Sequence, residues 1–294
     1  MMPVMGYQAN DKLVSVEVII PVYRERTEAL GATLSACLKQ TYPVSKIFVV
    51  DDGSPEPISL SREIQSSLIC VIRLPYNQGI SGARNAAIAC CRAPLIACIN
   101  TQVLPDPEWL SICVDYLLSR RSVGACYTRL VPHAPDRLLT RWRMRFLETK
   151  FGEQSGPTPF APGHAVLFRK EAIDDVGGYD LRRRLHHEDS DICQRMREMG
   201  WETHYIAESR CISIQEDSFN ELVAKELRES SWYSPAESSL IHLYLVLSKW
   251  TLVRAARNML KGRFCFIPID VAIWASGIWT ATQLTLRSSR IVNR

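Results

Sequence analysis

The residues best suited to chemistry in this chain lie in one short run, "HHEDSDICQRMREMGW", where Glu188, Asp189 and Asp191 follow His186 and His187. Acids in the first turn of a predicted helix are favoured by the helix dipole, so the run can be read as an ordinary helix start. Crowded carboxylates also push one another's pKa upward, which suits a general base. A second acidic pair, Asp51-Asp52, ends the apolar run "KIFVV" and precedes Gly53-Ser54. A carboxylate at the C-terminal end of a strand can accept hydrogen bonds from a base N–H or from ribose hydroxyls, or it can cap the turn that follows. A third candidate is "NQGISGARN", in which Gly79 and Gly82 permit a turn into a helix. The amino end of that helix could approach a phosphate, with Arg84 available as a cation. The spacing is not GxGxxG, so no dinucleotide-binding fingerprint is supported.

These residues need a frame, and the first half of the sequence predicts one. Apolar runs ("VSVEVIIPVY", "KIFVV", "SLICVIRLP", "PLIACIN", "VGACYTRLV") alternate with segments of helical spacing such as "GISGARNAAIACC" and "PEWLSICVDYLLSR". Continuous apolar strands separated by helices predict an α/β fold with a mostly parallel central sheet covered on both faces. In such sheets ligands lie beyond the carboxyl ends of the strands. Tyr23, Asp51-Asp52 and Asn100–Gln102 all fall there, so they are expected to converge on one rim. From about residue 134 to 162 the pattern loosens into a helix and a Gly/Pro-rich loop, "EQSGPTPFAPG", before "HAVLFRKEAIDDVGGYD" restarts as strand, helix and turn. After about residue 219 the chain reads as wholly helical.

The composition, with 47% hydrophobic and 22% charged residues in a chain of 294, fits a globular protein with a substantial core. The ten cysteines show no CxxC and no zinc spacing, and are read as reduced thiols of a cytoplasmic protein. Met1 to Asn10 lacks the basic and apolar regions of a signal peptide. From residue 240 onward eight basic residues face one acid, a net of +7, which leaves −3 of the chain's +4 for the part before it. Such a distribution argues against general nucleic-acid binding and for a role local to the tail. The tail helices fall short of the roughly 20 uninterrupted apolar residues that span a bilayer. Two readings remain for residues 240–294: helices packed on the main domain, or an interfacial anchor on an anionic membrane (the inner face of the cell membrane), suggested by Trp250, Trp274 and Trp279 beside Lys and Arg.

Five segments, in order, resemble the family 2 inverting glycosyltransferases with the GT-A fold. They are "VSVEVIIPVYRE", "FVVDDGS", "NQGISGARNAAI", "FAPGHAVLFRKEAIDDVGGYD" and "HHEDSDICQRMREMGW". The resemblance implies a donor that is a nucleotide-diphosphate sugar and an acceptor hydroxyl on a glycan, a lipid-linked compound or a small molecule. It implies that Asp52 contacts the base, with Pro21, Val22, Tyr23, Glu25, Gly79, Arg84, Asn100 and Thr101 around the nucleotide. It makes Asp189 the base that deprotonates the acceptor, assisted by Glu188, and puts Gly163, His164 and Asp191 on the sugar and acceptor side. The implied organisation is an N-terminal tail (1–13), a nucleotide-sugar half (14–130), an acceptor and catalytic half (131–218) and a helical basic extension (219–294).

Two positions depart from the family pattern. Arg24 replaces the usual Asn after the first strand, and the metal-binding D-x-D aligns with Asn100-Thr101-Gln102. Amide oxygens of Asn100 and Gln102 can still ligate a cation, but without charge they attract Mg²⁺ or Mn²⁺ poorly. The expectation is an enzyme with a weak metal requirement or none, its leaving group met by Arg84 and the helix amino end near Gly79–Gly82. The alternative is a non-catalytic relative that binds a nucleotide sugar or a glycan.

Overall fold

The computed structural model describes residues 13–61, 64–134, 136–151, 153–159, 161–182, 187–216, 218–224 and 240–292, with backbone only at 145–151, 240–243, 246, 281 and 284–292. Residues 1–12 of the expected tail, together with His186 and Arg294, lie outside the described residues. The chain divides into two compact units, residues 1–133 with 146–215, and residues 134–145 with 216–294.

The first unit is built on one mixed sheet. Its elements run β1 (Val16–Val22), α1 (Thr27–Leu38), β2 (Lys46–Asp51), β3 (Ile69–Arg73), α2 (Gly79–Ile88), β4 (Leu95–Ile99), β5 (Val103–Pro105) and α3 (Trp109–Leu118). Then come β6 (Val123–Pro132), α4 (Leu138–Phe151, which belongs to the second unit up to residue 145), β7 (Gly156–Pro157), β8 (Ala165–Arg169), α5 (Lys170–Asp175), α6 (Glu188–Glu198) and β9 (Glu202–Ser213). Among the described residues the strand order is β3-β2-β1-β4-β8-β6-β9-β5, with β7 also paired to β9. Parallel ladders join β3, β2, β1 and β4, and a further one joins β6 to β9. The antiparallel pairs involve β5, β7 and β8. The two expected halves thus share one sheet, because β8 lies beside β4 and β9 beside β6.

Alternation along the buried strands divides the core between the two faces of the sheet. Val18, Ile20 and Val22 of β1 face one core with Leu34 of α1 and Trp109, Leu110 and Val114 of α3. Ile19 faces the other, with Ala83 and Ala87 of α2, Ile173 of α5 and Ile192, Cys193 and Met196 of α6. The central strands β1 and β4 are the most apolar because both of their faces are covered. Glu17 is the exception within β1: its Oε2 accepts from the backbone N–H groups of Arg92 (2.6 Å) and Ala93 (2.9 Å), so the buried acid fixes the turn before β4. All ten cysteines are free thiols, and seven are buried as small core residues.

The second unit contains α7 (Leu240–Leu260), a short 3-10 turn (Phe264–Phe266) and α8 (Ile267–Val292). Trp142, Leu222, Val223, Phe266, Ile269 and Ile273 form its core. Asp270 is buried within it and accepts from the Trp142 indole N–H (2.9 Å) and from Asn258 Nδ2 (2.7 Å). Among the described residues no helix is long and apolar enough to cross a membrane.

Candidate active site

The parallel register of β1 and β2 sets Val22 beside Asp51, and the Asp52 N–H donates to the Val22 carbonyl at 2.8 Å. Asp52 therefore stands at the carboxyl edge next to Tyr23. Its Oδ1 accepts from the Gln78 N–H at 2.7 Å and its Oδ2 from the Gly79 N–H at 2.9 Å. The carboxylate thus caps the amino end of α2 while also lining a cleft of about 420 Å³. The capping reading and the ligand reading of Asp52 are both built into one side chain. Gly53 makes the turn possible: its φ is +66°, and a Cβ there would lie 2.5 Å from the Tyr76 carbonyl carbon. Asp51 points elsewhere and is held by Arg73 and by the Ser54 N–H at 2.9 Å.

Tyr23, Asp52 and Asn100–Gln102 line this cleft as the strand-end argument expected, whereas Asp51, expected with them, does not; Pro21, Val22 and Gly79 line it too. Glu25 stands behind its wall. One carboxylate oxygen, Oε2, accepts from the Thr101 hydroxyl at 2.7 Å and from Gln102 Nε2 at 2.9 Å, while Oε1 accepts from the Arg26 N–H at 2.9 Å. This clasp ties the end of β1 to the turn after β4. Among the described residues, three that are not glycine adopt left-handed backbone angles, and all stand at this rim or at the start of α6: Arg24 (φ 53°), Gln102 (φ 64°) and His187 (φ 64°). Such residues persist only where their surroundings over-determine them.

Arg84 does not reach the cleft. Its side chain is 0% exposed, and the expected phosphate contact is corrected by where its nitrogens point. Nη1 pairs with Glu188 Oε1 at 3.0 Å, and Nη2 donates to Asn100 Oδ1 at 2.9 Å and to the Gly163 carbonyl at 2.8 Å. The guanidinium also lies 5.1 Å from the centre of the Tyr179 ring. A Cβ at Gly163 would come within 2.7 Å of Nη2, so only glycine lets the backbone approach this closely. On the far side of the same residue, the Gly163 N–H donates to Asp189 Oδ2 at 3.1 Å, while Asp189 Oδ1 takes the Ser190 N–H at 2.7 Å. A continuous chain of bonds thus runs from Asp189 through Gly163 and Arg84 to Asn100. Burial pushes the Glu188 carboxyl above its ordinary pKa, the Asp189 charge adds to this, and Arg84 pulls against it.

Asp189 itself does not line the cleft but sits behind Gly163. His164 joins β8 to the Asn100 turn through its carbonyl, which accepts the Asn100 N–H at 2.9 Å, and its ring Nε2 lies 3.3 Å from the Thr128 carbonyl. Asp191 pairs with Arg195 one helical turn on (Oδ2 to Nε 2.8 Å), and Arg195 in turn holds the Val176 carbonyl at 2.6 Å. That pairing makes Asp191 part of the α6 framework rather than a free acceptor contact. Asn77, Ile80, Ala83 and Gln215 also line the cleft and were not singled out from the sequence. Asn77, Ile80 and Ala83 lie within "NQGISGARN", so their neighbourhood was flagged. Gln215 follows β9, and nothing local in "SIQED" signals it.

The donor chemistry of the rim does not fit a divalent cation. Asn100 turns its oxygen to the Arg84 guanidinium, and Thr101 and Gln102 present hydrogens to Glu25. A cation on Asn100 Oδ1 would face a positive neighbour, and one on Glu25 would displace three donors. Among the described residues there is no group of three or more His, Cys, Asp or Glu that could hold a metal ion. Among the described residues no Lys or Arg lines the cleft. The exposed Arg24 lines a separate pocket with Glu25, Ser54 and Pro55, and its guanidinium lies 5.1 Å from the centre of the ring of Tyr23, which does line the cleft.

A sheet with this order, with ligand-type residues at the carboxyl edge, belongs to the glycosyltransferase GT-A class. The solved mannosyltransferase PcManGT from Pyrobaculum calidifontis, in complex with GDP-Man and Mn²⁺, matches with a TM-score of 0.58 at 17% identity, covering 95% of this chain and 80% of that one. GalNAc-T7 with UDP, GalNAc and Mn²⁺ matches at a TM-score of 0.56 and 15% identity, covering 87% of this chain and 58% of that one. Residues 17–177 match glycosyl transferase family 2, and the chain belongs to that family. Among curated relatives, the pre-mycofactocin glycosyltransferase of Mycobacterium tuberculosis is 28% identical over 199 residues, 65% of this chain and 40% of that protein. The amylovoran biosynthesis glycosyltransferase AmsE of Erwinia amylovora is 24% identical over 81% of this chain and 88% of its own length. The chain spans about two fifths of the length of the first of these relatives.

Proposed function

We propose that this chain transfers a sugar from a nucleotide-diphosphate sugar to an acceptor hydroxyl, with inversion at the anomeric carbon and little or no dependence on a divalent metal. The observation that carries this reading is the bond chain from Asp189 through Gly163 and Arg84 to Asn100, which couples an acid at a helix start to the rim of the Asp52 cleft. Asp52 takes the base or ribose, and the turn Asn100–Gln102 bounds the diphosphate side. Asp189 accepts the acceptor's hydroxyl proton as that oxygen bonds to the anomeric carbon. The bond from that carbon to the diphosphate breaks, and the nucleotide leaves with the electron pair. Glu188 and Arg84 position Gly163 and Asp189 without touching the reacting atoms. Arg24 replaces Arg84 as the cation for the leaving diphosphate, because it stands exposed beside Tyr23. The acceptor class remains a glycan, a lipid-linked compound or a small molecule.

A second reading, a non-catalytic binder of nucleotide sugars or glycans, draws on the amides at Asn100 and Gln102. The discriminating experiment begins with a thermal-shift panel of nucleotide sugars, since any ligand of the native state raises its apparent stability. Release of nucleoside diphosphate from the binding donor is then measured with and without EDTA. Turnover in EDTA supports the proposal. Binding without turnover under any metal or acceptor condition supports the second reading.

A further inference from the structure

The C-terminal unit carries an outward face that sugar transfer does not use. Helix α7 packs inward through Leu247 and Asn258, both buried. On the side away from these, Leu245, Leu252 and Met259 recur every seven residues and are exposed, Leu252 to 71%. Val253 and Leu260 widen the stripe, Leu260 being 89% exposed. A water-facing helix normally reverses this arrangement, with polar residues outward. Here the buried side holds the Asn258–Asp270 hydrogen bond and the outer side holds aliphatic residues. Beyond Leu260 the tip between the helices continues the theme with Phe264, and on α8 Trp279 stands 68% exposed. An apolar stripe of this length marks an interaction surface.

The charges beside it select the occupant. Lys249 lies within the stripe and Arg257 and Lys261 run along its edge, all exposed. Asp270 is the only acid from residue 240 onward, and it is buried. The face is therefore apolar and cationic with no exposed acid in its stretch of chain. A second copy of the chain would bring these cations against their own kind, which self-complementary contacts avoid. Anionic lipid headgroups match them, and no described helix is long and apolar enough to cross a bilayer, which leaves binding in the plane of the surface.

We propose that α7 and the tip at Leu260–Phe264 dock this protein on an anionic membrane surface. Leu252, Met259 and Leu260 enter the boundary between headgroups and acyl chains, and Lys249, Arg257 and Lys261 meet lipid phosphates. The docking does not depend on the reading of the cleft.

The test uses the full chain and sedimentation with phosphatidylcholine vesicles, with and without phosphatidylglycerol, at low and high salt. Wild type should bind the phosphatidylglycerol vesicles, and more weakly as salt rises. The variant Leu252→Glu/Leu260→Glu changes only exposed positions, so it should keep the wild-type circular dichroism and melting curve while its partition falls about a hundredfold or more. Lys249→Gln/Arg257→Gln/Lys261→Gln should lose about a hundredfold as well, from three cations each worth about fivefold near an anionic surface. Failure of wild type to bind either vesicle would overturn the proposal, and so would binding by the leucine variant equal to wild type. Concentration-dependent self-association abolished by Leu252→Glu/Leu260→Glu, without vesicle binding, would assign the face to a second copy instead.

Discussion

The buried guanidinium at the centre of the site makes a sharp prediction. Replacing Arg84 by Ala leaves Glu188 buried without its partner, and strips Asn100 Oδ1 and the Gly163 carbonyl of a donor. Breaking one side of a buried ion pair costs about 3–5 kcal/mol. In a domain of this size each kcal/mol lowers the melting temperature by roughly 2–4 °C, so the fall should be about 6–20 °C. The loss should also depend on pH. Glu188 binds its proton more tightly in the folded chain than in the unfolded one, because burial raises its pKa. Keeping it buried therefore costs least below the unfolded carboxylate range, and the cost grows as pH rises through the raised folded value. Arg84 is the group that offsets this cost, so the deficit of Arg84→Ala should shrink in acid and widen towards neutral pH. Differential scanning calorimetry of both proteins across that range measures it directly. The double variant Arg84→Met/Glu188→Gln removes both charges and should regain much of the lost stability while remaining poor in turnover, since Gly163 and Asp189 lose their alignment. An Arg84→Ala protein that melts like wild type but binds nucleotide weakly would refute the reasoning and return Arg84 to the phosphates.

Other outcomes follow from the same geometry. Asp189→Asn should keep nucleotide affinity while turnover falls by roughly 10²–10⁴-fold, the usual worth of a general base, and near wild-type turnover would remove Asp189 from the chemistry. Asp52→Ala should weaken nucleoside diphosphate binding by about 1–3 kcal/mol and also lower the melting temperature, since the Gln78 and Gly79 N–H groups lose their acceptor; calorimetry showing unchanged affinity would place the base elsewhere. Turnover should survive EDTA, and Arg24→Ala should reduce it more than Asn100→Ala does; complete loss in EDTA restored by Mn²⁺ would contradict the metal-sparing reading. Asn100→Asp should lower stability, because a second carboxylate then competes with Glu188 for the one guanidinium, and should not create a Mn²⁺ site, which titration calorimetry with Mn²⁺ would check.

Much of the frame was legible because it rests on local pattern. Apolar runs such as "KIFVV" and "PLIACIN" became strands buried on both faces, and the residues at their carboxyl ends met in one cleft. What pattern could not supply was the direction of long side chains. Arg84 lies on α2, where an arginine can point to solvent, to a ligand or inward, and its partner Glu188 is 104 residues away. The presence of Gly163 is explained only once the guanidinium beside it is seen. Gln215 enters the cleft because the Ile214 N–H bonds to the Gln102 carbonyl (2.9 Å), a pairing set by sheet order rather than by any local signal. The Asp191–Arg195 pair was open to inspection, being one helical turn apart, yet the acid cluster drew a functional reading that the spacing to Arg195 already qualified. In α7 the apolar period was visible, but only the neighbours decide which side of a helix faces inward.

Asn100 and Gln102, which the resemblance aligns with the two acids of D-x-D, form a consistent set with Thr101 between them when charge is counted around them. Arg84 is buried and already balanced by Glu188, so a carboxylate at position 100 would compete with Glu188 for the same guanidinium. Asn100 avoids that competition and still offers an oxygen to Nη2. At position 102 an acid would face Glu25 across a short gap, and two carboxylates there would repel unless a cation lay between them. Gln102 instead donates to Glu25, as Thr101 does, and the turn holds together with no cation. The acid of this corner is Glu25, which follows β1 and accepts hydrogens from both residues. A rim organised this way is rigid and close to neutral by itself. Under the metal-sparing proposal, the charge that develops on a departing diphosphate is met by Arg24 and the backbone around the cleft. That division of labour is the reason Arg24, rather than Asn100 or Gln102, is the residue whose removal should be felt most in turnover.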